Sequence, residues 1–269
     1  MKKIVCIDHL VTGEEFALLP HDNYAAYITT PTPADTSKYY DHPEYVSHKK
    51  KGFSLFFLLY SLLRKFNNAY KLNLIKHCVR GKGVLLDFGA GTGSFAFEAN
   101  KKGWEVFGFE PNQAAHSATI DYVDEWNVSS QYDVITAWHV LEHLHDPSLF
   151  LEQAHEALTS LGTVVVALPN FCSWDAQKYG DMWAGYDVPR HLWHFSPDGF
   201  SDLANDCGFV VEAKHPLKLD AYYVSLLSEK NKKSKWPWLL AFYAGWRSNH
   251  AAKQTKNHSS VIYILKKRK

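Results

Sequence analysis

The stretch "VLLDFGAGTGSFAFEANKKG", residues 84–103, constrains the fold of this chain more than any other. "VLLDF" is an apolar run of strand length, and "SFAFEANKKG" reads as a helix with Gly103 as its stop. Between them lie Gly89, Gly91 and Gly93, which allow a tight turn and a close approach of backbone to ligand. Strand, glycine loop and helix in this order open a doubly wound α/β sheet. Such sheets bind ligands at the carboxyl ends of their strands.

The residues that follow keep the alternation. "WEVFGFE", "YDVITAW" and "GTVVVALP" read as buried strands. Asp146 and Pro147 cap and open a helix running to about Leu158; Ser196 and Pro197 open another, closed by Gly208. "FVVEAKH" and "SSVIYILKK" are two closing strands around a helical insert. The expected fold is α/β, a Rossmann-like doubly wound, mostly parallel sheet with an antiparallel last strand, plus an N-terminal extension. The sheet domain is expected over 75–269 and the extension over 1–74. The extension holds an irregular Pro- and Thr-rich stretch, then "FSLFFLLYSLLRKF". That second stretch, Phe53–Phe66, is apolar nearly all round and predicts a helix acting as a lid or dimer contact.

Composition narrows the setting. Cys6, Cys78, Cys172 and Cys207 are scattered, which excludes a disulfide framework or a zinc ribbon and fits a reducing, cytoplasmic setting. The start "MKKIVCIDHL" is too short in apolar residues for a signal peptide, and no run is long enough for a membrane span. Net charge is +1 but uneven. Lys230–Lys269 carries eleven Lys and Arg and no acid, so the preceding residues are net −10. A solvated surface or an anionic partner both accommodate that asymmetry.

The glycine loop does not follow the dinucleotide pattern G-x-G-x-x-G, because Ser94 stands where a third Gly or Ala is needed. With Asp87 it spells D-x-G-x-G-x-G, and Glu110 ends the next strand about 20 residues on. This resembles motif I of the class I S-adenosylmethionine-dependent methyltransferases, especially the bacterial group that includes the ubiquinone-biosynthesis O-methyltransferases. The resemblance implies S-adenosyl-L-methionine as cofactor, with Asp87, Gly89, Ala90, Gly91 and Gly93 as its loop. It also implies Glu110, with Pro111 beside it, on the ribose hydroxyls. Asp121 is the candidate for adenine by position, within a span, Asn112–Gln131, that lacks a clear third strand.

"WHVLEHLHDP", from Trp138, contains H-x-x-E-H, a pattern found in zinc proteases on a continuous helix. Here a β-branched strand precedes His139, and a new helix begins at Pro147, so no such helix fits. The segment instead resembles the end of the fourth methyltransferase strand, which implies that His139, Val140 and Leu141 pass close to the methionine part of the cofactor. Glu142 and His143 either brace the turn or contact metal or substrate. His139 in place of an acid weakens the case for a hard cation, and no metal is expected.

"GYDVPRHLWHFSPDGF", from Gly185, resembles the family's P-R-H-x-x-x-F-S stretch over the pocket. It implies Arg190, His191 and His194 facing the acceptor, and the candidate catalytic residues are His191, His194 and His143, each otherwise a loop brace. Tyr179, Trp183, Tyr186 and Trp193 are candidates for the pocket wall or for packing. Some relatives begin with zinc-binding cysteine pairs; Cys6 alone gives none here. The expected function is transfer of a methyl group to a small-molecule acceptor, at oxygen. The alternative is a non-catalytic nucleotide- or S-adenosylmethionine-binding regulator. No nucleic-acid partner is expected, whereas "KKKGFSLFFLLYSLLRKF" and "KSKWPWLLAFYAGWR" both read as a lid helix or a homodimer contact, with a peripheral membrane contact as the alternative.

Overall fold

The computed structural model describes residues 1–35, 37–39, 55–79, 81–126 and 131–268; side chains are described for the same residues except 37 and 55–63. The chain opens with an antiparallel meander of β1 (Ile4–Ile7), β2 (Glu15–Pro20) and β3 (Ala26–Thr30). Helix α1 (Leu55–Cys78) follows. It runs through the boundary expected between residues 74 and 75, so that position lies within a helix rather than in a linker. Its last turns pack Leu72 and Ile75 among Phe95 and Val106. Residues 53–54 and the side chains of 55–63 fall outside the described residues, so the lid or dimer role of that stretch is not addressed; Phe66 at its end is exposed.

The glycine-loop unit is β4 (Val84–Phe88) and α2 (Ser94–Lys101), followed by β5 (Glu105–Phe109) and β6 (Asp121–Val123). Then come β7 (Tyr132–Trp138), α3 (Pro147–Ala157), β8 (Leu158–Pro169) and α4 (Trp174–Tyr179). The seven-stranded order is β10-β11-β8-β7-β4-β5-β6, where β10 is Phe209–Pro216 and β11 is Ser260–Lys267; β9 belongs to the other sheet. Strands β4 to β8 pair in parallel, and β11 lies antiparallel between β8 and β10. Val164–Leu168 of β8 is buried on both faces, which is why it reads as an unbroken apolar run. From β4 the chain winds outward to β6, then crosses to β7 on the other side. The carboxyl ends of β4 and β7 therefore flank the switch point of the sheet. Asp146 accepts from Leu149 N at 3.0 Å, and Ser196 from Gly199 N at 3.0 Å ahead of α5 (Pro197–Asp206), as their sequence positions foretold.

Two features depart from the sequence expectation. A third strand exists: β6 pairs Asp121–Val123 in parallel with Phe107–Phe109. Three residues are too few for a periodicity to show. The second departure is larger. The extension contributes a three-stranded sheet, completed by β9 (Trp193–Phe195) from the far side of the chain. Thr29 N donates to Leu192 O at 2.9 Å, and Ser196 N to Ala25 O at 3.0 Å.

Arg190, almost wholly buried, fastens this joint. Its Nη2 lies 3.0 Å from Asp8 Oδ1 and 2.7 Å from Asp187 Oδ1, and its Nη1 donates to Tyr39 O at 3.0 Å. Asp8 also accepts from Thr12 N at 2.8 Å and Thr12 Oγ1 at 2.9 Å. Burial works against the Asp8 carboxylate, but Thr12 and Arg190 outweigh it and hold its pKa below the usual range. Such a buried pair is costly to break from one side, because the remaining charge stays desolvated. Asp8→Ala is therefore expected to lower stability by about 3 kcal/mol in urea unfolding, while Glu15→Ala, on the exposed side of β2, changes it little; equal losses would refute the role given to the ion pair.

Candidate active site

At the carboxyl end of β4 the loop turns on three left-handed glycines, with φ of 73° at Gly89, 53° at Gly91 and 70° at Gly93. Gly89 is crowded: a Cβ there would lie 2.5 Å from Val140 Cγ2, so β7's turn packs directly on the loop. At Gly91 an added Cβ would meet nothing within 4 Å, so this side of the loop is open. Glu110 holds the open bend, accepting from Gly91 N at 3.0 Å with one oxygen and from Asn112 N at 2.9 Å with the other. Each oxygen keeps a second lone pair for a hydroxyl donor. Pro111 follows on the exposed side, and Ala90 N donates to Phe109 O at 3.0 Å.

The 112–126 span folds back over this loop. Tyr122 OH donates to Gly91 O at 2.8 Å, His116 stacks on Tyr122 at 3.9 Å, and His116 Nε2 lies 2.8 Å from Glu110 O. Asp121 begins β6 at the end away from the loop, so it is misplaced for a ligand at the carboxyl edge. Asp124 lies exposed just past the carboxyl end of the strand.

Beneath the loop Asp87 is buried and accepts from Thr136 Oγ1 at 2.7 Å. Burial pushes its pKa up to about 7, against the opposing pull of Thr136 and of Lys71 on α1. Lys71 is itself buried, its ammonium 4.2 Å from the Trp138 ring centre. Desolvation carries its pKa down to about 8, although Asp220 and Asp87 both resist. His139 sits at φ 57°, at the end of β7. Its Nε2 is 3.0 Å from Asp220 Oδ2 on α6 (Asp220–Asn231), and its Nδ1 is 3.2 Å from Glu142 Oε1. Burial favours the neutral ring, but the two carboxylates overcome it and raise the pKa to about 9. The two carboxylates thus favour the imidazolium form of His139. Val140 packs on Gly89, whereas Leu141 is fully buried in the core.

Beyond His139 opens a cleft of about 650 Å³, walled by Cys6–Leu10 of the extension, by the 181–191 segment and by α6. Trp183, Tyr186 and His191 line it. Tyr179 is instead buried on Glu229, at 2.9 Å, and Trp193 stacks on Phe195. His191 Nδ1 lies 3.0 Å from Gly185 O and so carries the proton, which leaves Nε2 as the acceptor. Burial and then the neighbouring His143 push its pKa down to about 4. His143 donates from Nδ1 to Arg190 O at 2.9 Å, its ring 4.6 Å from that of His191. His194 is placed differently from expectation. Its Nε2 is 2.9 Å from Thr29 Oγ1, which in turn donates to His191 O, so it braces the joint with the extension and lines no part of the cleft. Arg190 borders the cleft but spends its guanidinium on the ion pairs described above.

One grouping escaped the sequence reading. Glu142, His143 and His191 bring one carboxylate oxygen and two ring nitrogens within 4.8 Å of one another. Glu142 Oε2 is buried without a hydrogen-bond partner among the described residues. A carboxylate and two imidazoles held by backbone carbonyls could accept a divalent transition ion. His191 lies 48 positions from His143, and no spacing rule links them.

A glycine bend braced by Glu110, at the switch point of a parallel sheet closed by an antiparallel last strand, is the architecture of a class I S-adenosylmethionine-dependent methyltransferase. Residues 63–214 match the family model described as a methyltransferase domain, and the chain belongs to that family. The ubiquinone biosynthesis O-methyltransferase of Nitrobacter winogradskyi is 30% identical over 166 residues, covering 54% of this chain and 61% of that one. Its counterpart in Bradyrhizobium diazoefficiens is 29% identical over 186 residues, covering 61% and 71%. The chain thus spans less than two thirds of the first of these relatives. In fold it is similar to a methyltransferase from Thermotoga maritima, with a TM-score of 0.50 at 16% identity over 79% of this chain and 95% of that one. Phosphoethanolamine N-methyltransferase 2 of Haemonchus contortus gives a TM-score of 0.50 at 16% identity, covering 75% and 53%. S-adenosylmethionine is the cofactor of the family. The open face at Gly91, the lone pairs of Glu110 and the buried Asp87 suit an amino acid with a cationic sulfur and a ribose diol.

Two outcomes follow for cofactor binding. A cationic ligand favours ionised Asp87, whose pKa is raised, so affinity for S-adenosylmethionine should rise as pH passes upward through about 7. Calorimetric titration across this range checks it: Asp87→Asn should flatten the dependence, and a flat wild-type curve would exclude it. Glu110→Ala should weaken binding by about tenfold or more, or roughly 1.4 kcal/mol; unchanged affinity would remove Glu110 from the cofactor site.

Proposed function

We propose that the chain methylates a hydroxyl oxygen of a small acceptor held in the cleft beyond His139, with His191 receiving the proton. The observation that supports this best is the placement of His191, which lines the cleft while Gly185 O takes its Nδ1 proton and leaves Nε2 as the acceptor nitrogen. When bound, S-adenosylmethionine supplies the methyl group: the C–O bond forms as the C–S bond breaks, and the sulfonium becomes a neutral thioether. The rest falls to the protein. Asp87, Gly89, Gly91, Gly93 and Glu110 position the cofactor, with His139 and Val140 at its methionine end. Trp183 and Tyr186 orient a flat acceptor and exclude water. His191 Nε2 takes the hydroxyl proton, and Asp187 Oδ2, at 3.9 Å, together with Glu142 stabilises the resulting imidazolium. The relatives named for O-methylation in ubiquinone biosynthesis support oxygen as the acceptor atom.

A metal-assisted second reading has one observation in its favour, the unpartnered Oε2 of Glu142 beside two imidazoles. In that reading Glu142, His143 and His191 would hold the ion, and His191 would no longer be the base.

The test is transfer of labelled methyl to a panel of phenols and catechols. His191→Ala should lower kcat by about 10² without changing affinity for S-adenosylmethionine. Because the His191 pKa is pushed down to about 4, its basic form persists across neutral pH, and kcat should not fall until well below pH 6. Activity should also survive dialysis against EDTA; loss that a divalent ion restores would favour the second reading. Intact cofactor binding without turnover on any hydroxylated acceptor would favour a non-catalytic binder.

A further inference from the structure

Helix α7 (Pro237–Thr255) is turned inside out relative to an ordinary surface helix. The residues it buries are small: Ala241, Ala244, Gly245, Ser248 and Ala252. A Cβ at Gly245 would lie 2.6 Å from Tyr222 Cδ1, so α7 approaches α6 closely. Its large apolar residues face outward. Trp236, just ahead of the helix, and Trp238, Leu239, Phe242, Tyr243 and Trp246 on it are each 49–71% exposed. Trp238, Phe242 and Trp246 recur every four residues and form one stripe, flanked by Leu239 and Tyr243. A contiguous apolar patch of this kind marks a contact surface.

Charge identifies the partner. Lys232, Lys233 and Lys235 immediately precede the helix, and Arg247 and Lys253 lie within it. No acid occurs from Lys230 to Lys269. A second copy would set this acid-free segment against itself in a symmetric interface, with like charges opposed. An anionic bilayer complements it: tryptophan and tyrosine suit the headgroup boundary, and lysines suit the surface potential. The same hairpin walls the acceptor cleft, which is lined by Tyr223, Val224, Leu227, Asn231 and Lys233.

We propose that the outer face of α7 seats the protein on an anionic lipid surface, with the cleft served by a hydroxylated acceptor dissolved in that lipid. Delivery of the acceptor rests on the proposed methyl transfer; seating on the membrane does not. Seating can be read without turnover, so failure of either is distinguishable.

The test is sedimentation of the full chain with phosphatidylcholine vesicles, with and without phosphatidylglycerol. Wild type should bind the anionic vesicles at least about tenfold more tightly, and added salt should weaken this binding. The triple variant Trp238→Ser, Phe242→Ser, Trp246→Ser should lose it while keeping its affinity for S-adenosylmethionine, which shows that the fold is intact. Wild type remaining in the supernatant with both vesicles would overturn the proposal, as would equal binding by the triple variant. A dimer that the triple variant dissolves, without vesicle binding, would assign the face to a second copy instead.

Discussion

The guanidinium of Arg190 is shared between Asp8 of the extension and Asp187 of the loop after β8, and the wall of the cleft beyond His139 depends on that sharing. The extension and the loop bear little local resemblance to each other, yet they close one four-stranded sheet. Leu192 shows how tightly they are tied. Its N–H donates to Glu142 O at 2.7 Å, and its carbonyl accepts from Thr29 N. His191 is therefore held between the turn after β7 and the meander at the start of the chain. Buried ion pairs of this kind add little net stability over apolar packing, but they are intolerant of partial loss. Here they fix the position of a wall rather than strengthen a core.

Electrostatics divides the two halves of the site. On the cofactor side, Asp87 and Lys71 are both desolvated, so each is drawn toward its neutral form near physiological pH. Around the cleft, one histidine is drawn toward its charged form and another toward its neutral form. Two carboxylates raise the pKa of His139, whereas burial and the neighbouring His143 lower that of His191. Environment rather than residue type makes the assignment, as expected where titratable groups share a low-dielectric pocket.

The parallel sheet was legible because its signals are local. A glycine loop between strand and helix, Asp146 before Pro147 and Ser196 before Pro197 each carry their meaning within a few residues. What escaped was non-local or short. The three residues of β6 are below the length at which a pattern emerges. Strand β9 contains "WHF", whose partner lies in Ala26–Ile28. His194 read as a candidate for the acceptor site because its motif lies over the pocket in the family, yet Thr29 claims it. Glu142, His143 and His191 converge only once the 181–191 loop folds back, so their shared geometry had no sequence signature.

The pairing of β3 with β9 also bears on how the chain is made. Ala26 leaves the ribosome long before Phe195, its partner in the ladder. At typical elongation rates the interval is on the order of ten to thirty seconds. For that time the meander has an open edge, a ready template for another nascent chain. Closing so long a loop also slows the final docking relative to the sheet, whose strands pair with nearer neighbours. The parallel strands β4 to β8 are all made within that interval, so they can pair with one another before the meander meets its closing strand.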